Sequence, residues 1–520
     1  MGEEQRRFTR SKWVVTGWTG LSRIGGLIRD ILTAAVFGTS SATDAFMVAF
    51  ALPNLFRNLF GEGAAGIAFV PVFSETCRRE GEQAGFRLAE TVITLLALVL
   101  AAISVLGVGI CFFLSETGRG ELVLRLSGVM LPYLFFICLV GFLGKLLNCL
   151  GRFGAPAALP LVFNVSWITA LAVLCPLLGG SLDRQVYGLA AGVLAGGVLQ
   201  LVLQWGFLLK AGFRFRARLD FSHPGLARIF RKMGPSILAM AVMQINTLAD
   251  KYLAVIFLPE GSVSSLFYAN RLVQFPLGVF GVSLATAALP LLSRLQASGR
   301  TREFRETLSH ALRSGLLIAL PATLGLILLR EPLIRLIYQR GEFDVFSTNR
   351  TAFVLLWYAT GLIFFITVKV ATQGFYALKK HEIPAWTGGM AVGVNLVLNL
   401  VVVLVPPVRN TLGAGGLALS TSISYLLNSI LLLVLLRKHG GLGGGLKPFL
   451  LRLLPAGGGF AAACLLTAGA LRTGVASAGI GSALLAVFAP GLAGLAVFLL
   501  ILRLLGVPLR DYLPARRSRD

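Results

Sequence analysis

The sequence predicts an all-α polytopic membrane protein of about fourteen transmembrane helices, and three observations predict it. Of 520 residues, 56% are hydrophobic and only 13% are charged, where a typical soluble domain has about a quarter charged. The mean hydropathy is +0.80. Apolar runs long enough to cross a bilayer, about 20 residues each, recur from end to end between polar connectors.

In order, the runs are 13–37, 44–74, 89–114, 122–150, 156–179, 186–210, 234–258, 264–293, 308–329, 348–378, 384–405, 412–436, 449–470 and 480–505. The first follows Arg6, Arg7, Arg10 and Lys12 and itself contains charges, so it does not read as a cleavable signal. The second and eighth are unusually long and interrupted by Pro53 and Pro276; they end in the similar strings "AFVPVFSE" and "AALPLLSR". The longest basic connector, 211–233, falls after six spans, and six more precede the Gly-rich break "RKHGGLGGGLKP". A 6+6+2 plan follows: residues 1–212 as an N-terminal lobe, 213–440 as a cytoplasmic linker and C-terminal lobe, and 441–520 as two further spans with a tail.

The net charge of +24 invites a nucleic-acid reading, but its distribution argues against it. Lys and Arg sit mostly in connectors, about 30 on one side of the membrane against about 8 on the other, a strong positive-inside bias. Both termini are therefore expected in the cytoplasm, which requires an even number of spans. Cys77, Cys111, Cys138, Cys149, Cys175 and Cys464 form no CxxC pair, and four histidines at no ligand spacing speak against structural zinc.

Charges within the spans are the exceptions that mark a site, because ionisable groups in hydrocarbon normally face a bundle interior or an aqueous cavity. The first span has Arg23, Arg29 and Asp30, and the second has Asp44, Arg57 and Glu62. The seventh has Asp250 and Lys251, the eighth Arg271 and the tenth Lys369. In an ideal helix Arg23 and Asp30 lie about 20° apart, Asp44 and Glu62 align after about five turns, and Arg29 points away from Arg23. Gly25 and Gly26, like Pro53, are expected as hinges that bend the spans and bring the cations together. Two readings of the carboxylates stand, as interhelical ion pairs or as parts of a cavity. The excess of arginine favours an anionic ligand, since guanidinium offers bidentate geometry to phosphate oxygens.

Two other patterns are weaker. "GEGAAG", Gly61 to Gly66, matches a dinucleotide fingerprint literally but lies in a membrane helix, where small residues serve close helix approach. Asn395 and Asn399, one turn apart, either hydrogen-bond neighbouring helices or, with Asp250 and Thr421, supply oxygen ligands to a small cation such as Na+.

The stretches "SRIGGLIRD", "ATDAFMVAFALPNLFRNLFGEGAAGIAFVPVFSE", "MGPSILAMAVMQIN" and "GSVSSLFYANRLVQFPLGVFGVSLATAALPLLS" resemble the MurJ (MviN) family of lipid II flippases, within the multidrug/oligosaccharidyl-lipid/polysaccharide exporter superfamily. The resemblance covers most of the first twelve spans. It implies fourteen helices, with two six-helix lobes in a V around a cationic cavity that binds the diphosphate and sugars of the lipid-linked peptidoglycan precursor. Carried over by motif, Arg23, Arg29, Arg57 and Arg271 are the cavity cations, and Asp30, Asp44 and Glu62 fall on acidic positions of the cavity and its gate. The last two helices would help form a groove for the prenyl tail.

The implied function is movement of lipid II from the cytoplasmic to the outer leaflet of the bacterial inner membrane by alternating access. The implied agent is a carrier acting as a monomer without a cofactor, driven by a coupling ion (Na+ or H+) or the membrane potential. One rival is a carrier of the same superfamily for drugs or another polyprenyl-linked glycan; arginine excess speaks against cationic drugs. A second rival is a membrane enzyme acting on prenyl diphosphates, which would need carboxylates for a metal, and no DDxxD-like cluster is present.

Overall fold

In the computed structural model, the backbone is described for residues 3–116, 120–474 and 479–512. Side chains are described throughout these segments except at 3–13, 62–65, 67, 235–236, 238–239, 242–243, 245, 472–474, 480 and 510–511. The described residues contain helices and connectors and no strand.

The elements run α1 (Glu3–Phe37), α2 (Ser41–Phe56), a π-helical segment (Arg57–Gly63), α3 (Ala64–Glu80), α4 (Glu82–Ser115) and α5 (Glu121–Cys149). They continue with α6 (Gly154–Thr169), a second π segment (Ala170–Leu174), α7 (Cys175–Leu178), α8 (Leu182–Lys210) and α9 (Pro224–Phe257). Then come α10 (Ser262–Pro276), a third π segment (Leu277–Gly281), α11 (Val282–Ala297), α12 (Thr301–Leu328), α13 (Arg330–Tyr338) and α14 (Val345–Ala377). The chain finishes with α15 (Glu382–Leu404), α16 (Pro406–Lys438), α17 (Leu446–Gly474), α18 (Ile480–Leu504) and α19 (Leu509–Tyr512). Every expected span coincides with a helix or with a helix–π–helix run.

Among the described residues, eleven helices are long and apolar enough to cross a membrane. The three expected spans outside that set are α1, α2 to α3, and α9, the ones that carry Arg23, Arg29 and Asp30, then Asp44 and Arg57, then Asp250 and Lys251. Charges that give up hydropathy in these helices therefore need a protein environment, not lipid.

Two compact units divide the chain, Met1–Ile256 and Phe257–Asp520. Each has one helix at its centre. In the first it is α5, whose apolar window is 72% buried, against 11% for α4. In the second it is α14, at 61%. These are the fourth and tenth spans, six apart. The second and eighth spans show the same period: each passes a proline, Pro53 or Pro276, and then a π segment.

Connectors are fastened to their own units. In the first unit, Glu90 of α4, only 6% exposed, accepts from the backbone N–H of Arg216 (3.1 Å), and Thr94 accepts from that of Arg218 (3.2 Å). Phe213 packs edge-on against Phe86, so the basic connector begins as a strap over α4. In the second unit, Arg305 and Arg313 of α12 donate to the carbonyls of Gly440 and Gly444, and Ser309 accepts from the N–H of Gly443 (3.0 Å). The Gly-rich segment before α17 is thus held against α12. Below it Leu317, Phe449, Phe460 and Phe498 form a core shared by α12, α17 and α18.

α9 packs within the first unit. Asn58 Nδ2 donates to Gln244 Oε1 at 3.1 Å, and Lys251 Nζ donates to the Met47 carbonyl at 3.2 Å.

Candidate binding cavity

A cavity of about 490 Å³ opens within the first unit, lined by residues of α1, α2, α5, α6 and α8 together with Arg57 of the π segment. Its cations are Arg29, Arg57 and Lys145, and its neutral polar groups include Ser22, Asn54, Asn148, Asn164 and Gln200.

Arg29 is built in from three directions. Its Nε and Nη2 donate to Asp30 Oδ1 at 3.0 and 2.8 Å, and its Nη1 donates to Asn164 Oδ1 at 3.1 Å. Its guanidinium carbon lies 4.7 Å from the Trp167 ring centroid, a cation–π contact worth roughly 0.5–2 kcal/mol. Asn164, 4% exposed, is itself fixed, since its Nδ2 donates to the Ser22 carbonyl at 2.9 Å. Trp167 is fixed by donation from Nε1 to Thr33 Oγ1 (3.0 Å), which in turn donates to the Arg29 carbonyl. A long flexible side chain is thereby held in one orientation before any ligand arrives.

α1 comes close enough to α6 for this because Gly25 has no side chain. A Cβ there would sit 3.3 Å from Leu161 Cδ1 and 3.4 Å from Asn164 Nδ2. The helix runs unbroken through Gly25 and Gly26, so the contribution visible at Gly25 is close packing and no break in α1 brings Arg23 round to Arg29. Arg23 is exposed and does not line the cavity, as its position on an ideal helix relative to Arg29 implies. Asp30, 2% exposed, is engaged by the adjacent Arg29.

On the second span, Pro53 is buried inside α2 and the helix continues into the π segment that starts at Arg57. The small residues of "GEGAAG" serve close approach here. A Cβ on Gly61 would meet the Cys138 carbonyl at 3.3 Å, and one on Gly141 would meet Gly61 Cα at 2.9 Å. Backbone-on-backbone contact with α5 sets the half-buried Arg57 on the cavity wall. Because a π segment lies between residues 44 and 62, the rotation of 100° per residue does not carry through, and the expected five-turn alignment of Asp44 with Glu62 is lost. The Glu62 side chain is outside the described residues. Asp44, 5% exposed, is in the first turn of α2, where a carboxylate complements the helix dipole.

Aromatic rings continue the wall from Arg29. Phe50, Tyr133, Phe163 and Trp167 stack or meet edge-on with centroid separations between 5.3 and 6.2 Å. A guanidinium beside stacked rings suits an anion joined to a sugar-like face.

In the second unit, Arg271 is exposed, with its guanidinium carbon 5.6 Å from the Phe267 ring centroid. Lys369 is exposed and Asp250, in the first unit, is half-buried. Asn399 Nδ2 donates to Asn395 Oδ1 (3.0 Å) and Asn395 Nδ2 to Thr421 Oγ1 (3.4 Å), a polar ladder between α15 and α16. No group of three or more His, Cys, Asp or Glu that could hold a metal ion occurs among the described residues.

Sequence reasoning missed Asn164, Trp167, Lys145, Asn148 and Gln200. Two of them left a signal: Lys145 is a charge inside the apolar run "GFLGKLLN", and Gln200 with Gln204 makes an i, i+4 amide pair in "LQLVLQW".

Fold and site together define a polytopic, all-helical membrane protein with an anion-receptive cavity enclosed in a helical bundle. The model of the family described as "Lipid II flippase MurJ" matches residues 33–477. A "Probable lipid II flippase MurJ" of Vibrio cholerae is 35% identical over 97% of this chain and 98% of its own length. The "Lipid II flippase MurJ" of Burkholderia cenocepacia is 35% identical over 83% and 84%. Among solved structures, one described as "Lipid II flippase MurJ, inward closed conformation" superposes with a TM-score of 0.75 at 25% identity, covering 95% of this chain and 99% of that one. An inward-facing multidrug resistance MATE transporter shares the fold alone, at a TM-score of 0.69 and 16% identity over 82% and 97%. The chain belongs to the MurJ family, a family of transporters.

Proposed function

We propose that this protein moves a polyprenyl-diphosphate-linked peptidoglycan precursor, lipid II, from the inner to the outer leaflet of the bacterial inner membrane without making or breaking a covalent bond. Membership of the MurJ family carries the proposal, and the pre-oriented Arg29 beside Arg57 in one cavity supplies its chemistry. A diphosphate crossing about 30 Å of hydrocarbon loses its hydration. Charge-assisted hydrogen bonds from guanidinium, roughly twice as strong as neutral ones, replace that hydration while the prenyl tail stays in lipid. Rings beside Arg29 offer faces to the adjoining sugars. Alternating access, from a state loading on the cytoplasmic side to one releasing outside, completes the cycle.

The same proposal has both termini in the cytoplasm and a monomer as the working unit, with Arg271 joining the cationic set and Asp30, Asp44 and Glu62 tempering it. The drive is the membrane potential, worth about 2.3 kcal/mol per charge per 100 mV, or a coupling cation, Na+ or H+, for which Asp250, Asn395, Asn399 and Thr421 offer oxygens. The multidrug alternative gains nothing from the comparison with MATE carriers, which extends to fold only.

Depletion of the protein in cells that lack a redundant flippase, followed by labelling of externally exposed lipid II, tests the function. Exposure is expected to fall; undiminished exposure refutes it. Arg29→Ala and Arg57→Ala are each expected to abolish transport at normal folded abundance.

A further inference from the structure

One helix carries the length of the cavity. Tyr133, Ile137, Val140, Gly141, Gly144, Lys145 and Asn148 recur at spacings of three and four, so a single face of α5 lines it. Tyr133 belongs to the aromatic wall next to Arg29, whereas Lys145 is twelve residues further on, about 18 Å along the axis. The cavity therefore has a second cationic end that the diphosphate chemistry of Arg29 and Arg57 does not use.

That end is equipped for a ligand. Lys145 has no hydrogen-bond or ion-pair partner among the described residues. Its stem lies over Gly66, where a Cβ would come within 3.2 Å of Lys145 Cε. Asn148, one turn on, adds a neutral amide to the same wall. Gln200 of α8 also lines the cavity; it is 3% exposed, and its Nε2 donates to the Leu159 carbonyl at 2.8 Å. A carbonyl only accepts, so this contact fixes the orientation of the amide. Oε1 has no partner among the described residues.

We infer that the Lys145–Asn148 end of the cavity is a subsite for the peptide of the lipid headgroup, with Lys145 binding a peptide carboxylate. The inference rests on the flippase reading. An unpaired cation matches an anion, and the anions of such a headgroup other than its diphosphate are the peptide carboxylates, whereas its sugars are neutral. The distance along α5 agrees, since the peptide is the part of such a headgroup remote from the diphosphate.

The test uses full-length protein in proteoliposomes with two probes, a polyprenyl-diphosphate disaccharide bearing a peptide with free carboxylates and the same lipid with those carboxylates amidated. Lys145→Gln is expected to slow the acidic lipid roughly tenfold and leave the amidated lipid at the unmodified rate, while Lys145→Arg restores the acidic lipid. Equal loss for both lipids, or loss for neither, overturns the inference while the flippase reading stands. Movement of neither lipid by the unmodified protein, at normal folded content, overturns the flippase reading and this inference with it.

Discussion

Asn164 holds Arg29 from across the first bundle. It accepts from Arg29 Nη1 at 3.1 Å and donates to the Ser22 carbonyl at 2.9 Å, so one amide ties the guanidinium of α1 to α6 and ties α6 back to α1. Asn164→Leu, of similar size, removes both bonds and is expected to lower stability by about 1–3 kcal/mol. Asn164→Asp keeps an acceptor for Arg29 but sets a buried carboxylate against the Ser22 carbonyl, so it too should lower stability, and by cancelling the Arg29 charge it should lose lipid export even in the folded fraction. Thermal melting in lipid nanodiscs alongside the external labelling assay separates the two.

Gly141 meets Gly61 backbone to backbone, with a Cβ–Cα distance of 2.9 Å if a methyl were added. Gly141→Val is expected to destabilise by about 1–3 kcal/mol through overpacking. Gly109, with open space around its Cβ position, should accept Ala without loss. Melting temperatures of the two variants give the comparison.

Asp344 caps α14, accepting from the Ser347 N–H at 2.8 Å. That backbone hydrogen bond holds its carboxyl below the ordinary value of 3.8. Asp344→Ala should cost about 1 kcal/mol at neutral pH. A group with a depressed folded pKa stabilises above its unfolded value and loses that contribution as pH falls through the folded one. The gap between native and variant melting curves should therefore persist down to about pH 4 and close below it.

Lys251 donates to the Met47 carbonyl from α9. Lys251→Met removes the bond together with the burial cost of the ammonium, so folding should change by less than about 1 kcal/mol. Lys251→Glu sets a carboxylate against that carbonyl and should cost about 3–5 kcal/mol. Denaturation in detergent measures both.

Much of the architecture was legible because hydropathy and charge act locally. Fourteen runs of apolar residues became fourteen helical runs, and Arg29 and Arg57 were recognisable as charges that hydrocarbon would not tolerate. The paired prolines were visible too. What periodicity could not supply was the partner of each charge: Asn164 is 135 residues from Arg29 in sequence and looks like any single polar residue in a greasy span. Gly25 was readable as a glycine but not as a packing site, because nothing local says that α6 will lie against it. Gln200 is a further case, since nothing local says that the Leu159 carbonyl on another helix will take its amide N–H.

The π segments change how residues may be counted along these spans. A π turn holds one residue more than the α turn it replaces, so an excess residue is stored at each of the three π segments; in the second and eighth spans, where the segment follows a proline, these are 57–63 and 277–281. Single-residue deletion within a spanning helix ordinarily rotates everything beyond it by about 100°. At these two places deletion instead converts the wide turn to an ordinary one, and the chain has slack to lose. Length variation among relatives should therefore collect inside these helices as one-residue gaps, at depths where alignments otherwise forbid them.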